Sequence, residues 1–484
     1  MGIALKRFVC LLAVLALVCG CVVDQQKEID KYRQVLDGES PTTNPAPTAE
    51  LTLEQAMALA NQHNEQLGLR GEDYLQALIS KDRAAANFLP QISLAPTYFV
   101  QDKTIAGSKD DNLNNSGAPK DKRLDVPVTG QANLFKGFRD VAAYRAAGRT
   151  IEQRRALLLD AQAAVLLDVA KTYYQILRSE KSVEVLRNSL KVQEERVRDI
   201  RARQAAGLVR PLDVAQTEAQ ASGTRVSLIA ALNDVENGRA VLDFVVGVPV
   251  SESRLVDAAH FSDTMPTLEE LRSEALRQRQ DVLAAQAAVA AARYDVDAAV
   301  GKYYPSVTIN VNYYLSRDSL PTESDWNSVL SANLPIFSAG LIEADVRTAW
   351  SLLRQAKLSE SQTRRQVVQD VQLAYQNLLA SHDRLHELQV QLKAADEALQ
   401  QADQSYKVGL ATNLEQLAAQ DRQLATALQL TSERFDQKVF HLALLRATGK
   451  LSTRLPGEPA TAPTTRSATK QVAGVIGSKG VSAT

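Results

Sequence analysis

Residues 371–410 read VQLAYQNLLASHDRLHELQVQLKAADEALQQADQSYKVGL, and this stretch decides the fold. It lies in a longer segment, residues 341–408, that contains neither proline nor glycine, the residues that most often end helices. A helix of that length would span about 100 Å at 1.5 Å per residue. Its apolar seam steps by alternating threes and fours: Val371, Ala374, Leu378, Ser381, Leu385, Leu388, Leu392, Ala395, Leu399, Ala402 and Tyr406. The spacing predicts a coiled coil.

A similar pattern occurs earlier in the chain. The same register is kept by Val183, Leu186, Leu190, Val197 and Ile200, with the polar Gln193 as the one exception. Each long helix meets a glycine, Gly207 or Gly409, and a second helical pattern follows, at about 208–246 or 411–449. Two helical hairpins are therefore expected.

These hairpins belong to a tandem repeat. Leu53-Glu54 and Pro90 recur as Leu268-Glu269 and Pro305 at an offset of 215, and Gly207 and Gly247 recur as Gly409 and Gly449 at an offset of 202. Chance is a poor explanation for such order. The sequence predicts a first structural repeat at 51–250 and a second at 266–450.

Between the helices the hydrophobic period changes to two. One β-hairpin is predicted from alternation over residues 307–315 and 326–334, and another from Ile92, Leu94 and Tyr98 with residues 126–134, joined by a polar loop at 101–124. One face is polar and the other apolar, which suits a transmembrane β-barrel as well as a soluble two-layer sheet. Four strands cannot close a water-filled barrel, so the barrel requires several chains.

The N-terminus is typical of a secretory signal. Lys6 and Arg7 precede an apolar run from Phe8 to Val18, so residues 1–20 are predicted to be a signal peptide. Val18-Cys19-Gly20-Cys21 resembles a bacterial lipobox, which would leave Cys21 lipidated, by palmitate among other acyl chains. An ordinary cleaved signal and an uncleaved anchor remain alternatives. Residues 21–50 are interpreted as a flexible linker from the lipid, and residues 451–484 as a disordered tail.

Composition and short motifs exclude several classes of function. Lys plus Arg number 55 against 56 for Asp plus Glu, and this balance argues against nucleic acid as a partner. All three cysteines lie within the first 21 residues, which excludes thiol chemistry from the rest of the chain. His382 and His386 have zinc-like spacing, but a coil surface explains them better. Without a P-loop or nucleophile elbow, no enzyme activity, metal or cofactor is expected.

Several marks together resemble the TolC-like outer-membrane efflux-channel family. They are the lipobox, Leu53-Glu54-x-Ala56 with Asn64, Leu89-Pro90, Tyr304-Pro305, Leu134-Phe135, Ile336-Phe337 and Tyr406-Lys-Val-Gly409-Leu410. The resemblance covers about residues 51–450. It implies a mainly α fold with a small β part: long antiparallel coiled-coil hairpins forming an α-barrel, and two β-hairpins per chain contributing to a trimeric 12-stranded transmembrane barrel. The implied place is the bacterial outer membrane, lipid-anchored and extending into the periplasm.

The resemblance also implies roles for particular residues. Gly207, Leu208, Gly409 and Leu410 would lie at hairpin tips that contact a periplasmic adaptor, although glycine there also serves as an ordinary helix C-cap.

Asp213 and Glu415 would contribute carboxylates to a periplasmic gate, although an acid in the first turn of a helix also complements its dipole. Tyr406 would tie the inner hairpin shut, and its usual basic partner position is Ala411. A second gate acid of some family members would fall at Ala418.

The predicted function is passive export. The homotrimer would be the outer-membrane channel component of a tripartite efflux or type I secretion system, carrying substrates from an inner-membrane pump and periplasmic adaptor to the exterior. The alternative class is a lipid-anchored periplasmic coiled-coil scaffold or adaptor. Adaptors normally have one helical hairpin flanked by β-rich domains, which favours the channel.

Overall fold

The computed structural model describes residues 24–37, 49–100, 122–258, 261, 266–318 and 324–452. Within these ranges the chain is mainly α-helical with a small β part, so the predicted fold class is confirmed. The elements of the first half are α1 (Gln25–Asp37), β1 (Glu50–Thr52), α2 (Leu53–His63), α3 (Glu65–Ala86), β2 (Gln91–Leu94), β3 (Thr97–Val100), β4 (Lys122–Lys136), α4 (Arg139–Ala205) and α5 (Pro211–Val246).

The second half repeats this order. Its elements are β5 (Arg254–Val256), α6 (Leu268–Gln278), α7 (Gln280–Val300), a 3-10 turn (Gly301–Tyr303), β6 (Ser306–Ser316), β7 (Trp326–Asn333), α8 (Leu341–Lys407) and α9 (Asn413–Ala447). The two long helices, α4 and α8, have 67 residues each.

Matched capping residues start the two halves. Thr52 and Thr267 both form capping boxes, with Gln55 and Glu270 as the reciprocal partners. Such boxes satisfy the free N–H groups at the start of a helix. Asn64 then separates α2 from α3, as Arg279 separates α6 from α7, and these residues occupy equivalent positions 215 apart. The repeat inferred from sequence is thus visible in local structure.

A buried core joins the two halves near the short helices. Strands β1 and β5 pair in parallel, and the hydroxyl of Tyr173, on α4, hydrogen bonds with backbone groups of Leu51 and Val256 from both strands. Tyr173 and Leu442, on α9, have none of their surface exposed. Removing such apolar surface from water is the main favourable term in folding. This region fixes α4, α5 and α9 relative to one another, and α8 packs on α9 and the short helices in a second cluster.

The long helices pair as two antiparallel hairpins, α4 with α5 and α8 with α9. Every residue of the predicted 371–406 seam is buried or half-buried, so the register derived from sequence is confirmed. The hairpins also pack on each other, since Val183 and Leu186 of α4, Ala231 of α5 and Leu424 of α9 form one apolar cluster. The hairpin tips lie at the far end of this four-helix region.

The strands form one sheet in the order β2-β4-β6-β7, with β3 also paired to β4. All these neighbours are antiparallel. Strands β2 and β3 are consecutive pieces of one edge, interrupted at Ala95 and Pro96, because proline lacks the N–H that the ladder needs. Both predicted β-hairpins are therefore present, side by side.

One predicted segment is corrected. The flexible linker at 21–50 contains helix α1, whose Tyr32 and Leu36 are buried against the core. The ring of Tyr32 occupies the space that a Cβ at Gly71 would need, and Gln162 donates to the carbonyl of Leu36 at 2.7 Å. The apolar residues of α1 recur at helical spacing, and that signal was overlooked.

Other predictions lie partly or wholly outside the described residues. These are the signal peptide and Cys21, the loop at 101–121 and the tail beyond residue 452. Residues 122–124 of the predicted loop belong to β4, and Leu451 of the predicted tail is buried in the core. Among the described helices, none combines the length and apolar character needed to cross a membrane.

Candidate gate and docking site at the hairpin tips

The two tips are built alike. Residues 206–210 join α4 to α5, and residues 408–412 join α8 to α9. Gly207 has a φ of +75° and Gly409 a φ of +80°, a left-handed conformation that glycine adopts without steric cost. No heavy atom of the described residues lies within 4 Å of a Cβ built on either glycine. Conformation, rather than close packing, requires glycine at both tips.

Backbone hydrogen bonds close both helices at these glycines. The N–H of Leu208 donates to the Arg203 carbonyl at 2.9 Å, and that of Leu410 to the Ser405 carbonyl at 2.8 Å. This is the pattern of a Schellman-type cap. The C-cap interpretation of Gly207 and Gly409 is therefore confirmed, while contact with a partner stays a prediction.

Exposed leucines surround both glycines. Leu208 is 74% exposed and Leu410 is 84% exposed. The apolar residues Val408, Leu212 and Leu414 are exposed as well. These five residues are named here the tip patch, and exposed apolar patches commonly mark interaction sites. Leu212 and Leu414 recur at the repeat offset of 202, whereas Val408 corresponds to Ala206, and none of these three is among the predicted site residues.

Asp213 is held inside the first tip. It is buried at the third position of α5, and its carboxylate accepts hydrogen bonds from the backbone N–H and the guanidinium of Arg210 at 3.1–3.2 Å. The Arg210 side chain holds the pKa of Asp213 below its ordinary value, and the backbone hydrogen bond acts in the same direction. The carboxylate therefore stabilises the turn, as the helix-start interpretation expected.

Glu415 occupies the corresponding place in the second tip. Its carboxylate accepts from the backbone N–H of Thr412 at 2.7 Å and lies 3.1 Å from the Thr412 hydroxyl, completing a capping box. The pattern Thr412-x-x-Glu415 is a recognised sequence signal for this motif and was overlooked. Unlike Asp213, Glu415 is exposed to solvent.

Tyr406 has basic neighbours that the sequence did not indicate. The guanidinium carbons of Arg196 and Arg203, both on α4, lie 5.3 Å and 6.0 Å from the centre of its ring. Cation–π attraction operates at such distances. The basic partner position expected from the resemblance holds Ala411, and here the positive charge comes from the other hairpin.

Arg196 also contacts α9. Its guanidinium donates to the side-chain oxygen of Asn413 at 3.1 Å and to that of Gln416, while Gln416 donates to Asp403 at 2.6 Å. Burial lowers the pKa of Arg196, and its Nε lacks a hydrogen-bond partner among the described residues. Arg196, Asp403, Tyr406, Asn413 and Gln416 are named here the tie cluster, because they join α4 to the α8–α9 hairpin.

The tie cluster borders a polar cavity of about 610 Å³ between α4, α8 and α9. Gln420 lines this cavity and Gln193 is buried on α4 next to the lining residue Val192; the side-chain oxygen of each lacks a hydrogen-bond partner in the described part of the chain. A buried polar group without a partner costs about 1–3 kcal/mol. The helices are thus held near the tips by polar contacts around a cavity, without a continuous apolar core.

The two histidines with zinc-like spacing lie on the surface of the coiled coil. His382 and His386 are both exposed on α8. No group of three or more His, Cys, Asp or Glu residues that could hold a metal ion occurs within the described ranges.

Comparison with known proteins identifies the class of protein to which this chain belongs. The family profile for outer membrane efflux proteins matches residues 51–248 and 271–450, so the chain belongs to this family. The suspected TolC-like relationship is confirmed, and the protein is an outer-membrane efflux channel.

Characterised relatives cover most of the chain. The outer membrane efflux protein BepC of Brucella suis is 27% identical over 76% of this chain and 84% of its own length. The TolC of Vibrio cholerae is 25% identical over 77% and 84%. The pyoverdine export outer membrane protein OpmQ of Pseudomonas aeruginosa is 27% identical over 78% and 79%.

Solved structures share the fold. VceC of Vibrio cholerae superposes with a TM-score of 0.72 at 21% identity, covering 82% of this chain and 96% of that one. The CmeC channel of Campylobacter jejuni gives 0.74 at 15% identity, covering 83% and 87%. The predicted outer-membrane location agrees with the family match and with the relatives named as outer membrane proteins.

Proposed function

We propose that three copies of this chain form the passive outer-membrane conduit of a tripartite export machine. The observation that carries the proposal is the pairing of a two-faced four-stranded sheet with two long helical hairpins that end in matching tips. The sheet suits a membrane wall shared among chains, and the hairpins suit a tunnel wall. Relatives named for efflux in several bacteria support the same role.

In this proposal the tip patch docks a periplasmic adaptor. Its leucines are exposed at both tips, and the glycine-capped turns present them at the end of the four-helix region. Burying one such side chain contributes about 1.5–3 kcal/mol. Gly207, Leu208, Gly409 and Leu410 would therefore form the contact with an adaptor, which in turn couples the conduit to an inner-membrane pump.

The tie cluster would hold the closed state. Opening requires the α8–α9 hairpin to move away from α4, and the contacts of Arg196 with Tyr406, Asn413 and Gln416 are those that must break. Glu415, exposed beside this cluster, would contribute one carboxylate per chain to the entrance. The carboxylate of Asp213 is engaged by Arg210, so we assign it to keeping the tip in shape.

Lipidation at Cys21 remains part of the proposal. Several acyl chains on one residue anchor a protein stably, since each buried CH₂ contributes about 0.8 kcal/mol. Helix α1 begins at Gln25, four residues beyond Cys21, and packs on α3 and α4. The anchor would then be tied to the core by this helix. Mass spectrometry of the mature N-terminus tests this part.

The decisive experiment measures assembly and conduction together. Protein extracted from outer membranes in mild detergent is expected to have the mass of a trimer and to form channels in planar bilayers. A monomer that does not conduct would leave the alternative, a lipid-anchored periplasmic coiled-coil scaffold or adaptor.

Docking is tested separately. Replacing Gly409 and Leu410 with bulky charged residues should abolish efflux while trimers remain, because the tips are solvent-exposed. Val390→Arg, at an exposed apolar position of α8 remote from the tip, is the matched control and should retain efflux. Loss of trimers in the tip variant would instead assign these residues to folding.

A further inference from the structure

One face of the sheet carries a row of side chains that hydrogen bond across the strands. Thr129 on β4 donates to the side-chain oxygen of Asn312 on β6 at 2.8 Å, and Asn312 donates to that of Asn327 on β7 at 2.9 Å. Asn327 in turn lies within 3.5 Å of the Tyr314 hydroxyl. Asn312 is thus the central member, bonded to a neighbouring strand on each side.

The pairing of β2 with β4 continues this row to the edge of the sheet opposite β7. Ser93 on β2 is paired with Thr129, so the row crosses all four strands. Ser93, Thr129, Asn312 and Asn327 are named here the amide row. The next two cross-strand rows on the same face, both on one side of the amide row, are also uncharged: first Gln91, Gln131, Asn310 and Val329, and then Asn133, Thr308 and Ser331.

The opposite face has the reverse character. Leu94, Val128, Tyr313 and Trp326 form a row there by the same register, and successive residues of a strand point to opposite faces. A membrane strand turns its apolar side chains to lipid and its polar ones to the aqueous interior. The amide row therefore belongs to the aqueous face.

Charge on this face begins at both ends of the three uncharged rows, with Lys136 past the Asn133 row and Asp125 past the amide row. Asp125 and Arg123 lie farther along β4, and Arg123 stacks on Phe99 at 4.5 Å. Rings of charged side chains are what give a pore a preference for one sign of ion. The middle of the sheet offers hydroxyl and carboxamide groups instead.

We propose that the amide row, repeated by three chains, closes into an uncharged hydrogen-bonding collar inside the conduit. The inference rests on the proposed function, because one chain supplies only a third of the wall. The collar passes anions and cations alike and offers hydrogen bonds to polar solutes of either sign. Any preference for one charge is therefore set elsewhere along the conduit.

The chain offers a direct test, because its only cysteines lie within the first 21 residues. Asn312→Cys and Val311→Cys place single thiols on adjacent residues of one strand, facing opposite sides. A negatively charged, water-soluble thiol reagent is applied to open trimers in a planar bilayer. Asn312→Cys channels are expected to shift their reversal potential toward cation selectivity, and Val311→Cys channels should not respond.

Two further variants separate charge from shape. Asn312→Asp should raise the cation-to-anion permeability ratio several-fold, because three carboxylates then face the aqueous path. Asn312→Leu, close in size, should leave that ratio unchanged, since the native side chain carries no charge.

The collar proposal would be overturned if conducting Asn312→Cys trimers show no shift in reversal potential with the reagent. It would also be overturned if the Val311→Cys and Asn312→Cys channels shift equally. Wild-type trimers that fail to conduct would overturn the conduit itself, and the collar with it. The two failures are therefore distinguishable.

Discussion

The core near the short helices and the region near the tips use the same four long helices in opposite ways. Around Tyr173 and Leu442 the helices meet through large, fully buried side chains. Around Arg196 and Gln193 they meet through polar groups, a cavity and side-chain atoms that have no hydrogen-bond partner among the described residues. Apolar packing costs more to separate than polar contacts that water can replace. The core therefore fixes the helices, and the tips are where they separate at least cost.

Truncating the core should give the largest effect. Leu442→Ala removes a side chain with none of its surface exposed and leaves a cavity, so we expect a loss of about 2–5 kcal/mol in the free energy of unfolding. Denaturant unfolding of the detergent-solubilised protein measures it. Val390→Ala, at an exposed position, is the control and should change stability little. Equal effects at both positions would contradict the assignment of Leu442 to the buried core.

Two glycines with the same backbone conformation sharpen the comparison. Gly247 has a φ of +82°, and a Cβ there would lie 2.7 Å from the carbonyl oxygen of His63, whereas a Cβ at Gly409 would have no described atom within 4 Å. Left-handed backbone costs about 1–2 kcal/mol for a residue with a Cβ. Gly409→Ala should incur only that strain, and Gly247→Ala should lose more. Similar unfolding midpoints for the two variants would show that the contact at Gly247 relaxes easily.

The tie cluster gives the next prediction. Hydrogen bonds from charged groups contribute about 1.5–3 kcal/mol each, and Arg196→Ala removes those to Asn413 and Gln416. A gain of 1.4 kcal/mol for the open state corresponds to about a tenfold rise in its population. Single-channel recording should therefore find the variant open more often.

Arg196→Lys is the matched control for this variant. It keeps the positive charge and loses the planar fork of hydrogen-bond donors. Its open fraction should be intermediate, and trimers should persist in both variants. Unchanged gating in Arg196→Ala trimers would show that the tie cluster does not stabilise the closed state.

The smallest effect concerns pH. Arg210 keeps the pKa of Asp213 below its ordinary value, so the folded state binds the proton less well than the unfolded chain. The stabilisation is fully present above the ordinary carboxyl pKa of about 4 and is lost as pH falls through the lowered value. Asp213→Asn should be less stable than wild type at pH 6, and the difference should shrink as the pH falls below the ordinary carboxyl pKa of about 4. Urea unfolding across this range provides the measurement, and a constant difference would exclude the ion pair as its source.

Sequence patterns predicted most of the architecture because they are local. Helix α8 spans Leu341–Lys407 against a predicted 341–408, and both tip glycines lie at the expected turns. Helix α1 was not predicted, because residues 21–50 end in a proline-rich stretch and the whole segment was interpreted as a flexible linker. Tyr32 and Leu36 are nevertheless spaced as on one face of a helix.

The candidate site was only half predictable. Gly207, Gly409, Asp213 and Glu415 are marked by their place next to a turn, and the structure assigns all four a role in capping. Arg196 carries no such mark, since it lies one turn beyond a polar seam position on a helix rich in arginine. Its partner Asn413 is 217 residues away.

What the sequence determined by itself was periodicity: two repeats, two long hairpins, two β-hairpins and the residues that face inward along each. These follow from steric and hydrophobic rules that act over a few residues. Only the tertiary structure decided which hairpin supplies the positive charge beside Tyr406 and which polar side chains join across the sheet. Such contacts depend on how separate helices and strands are placed in space, and no local pattern records that placement.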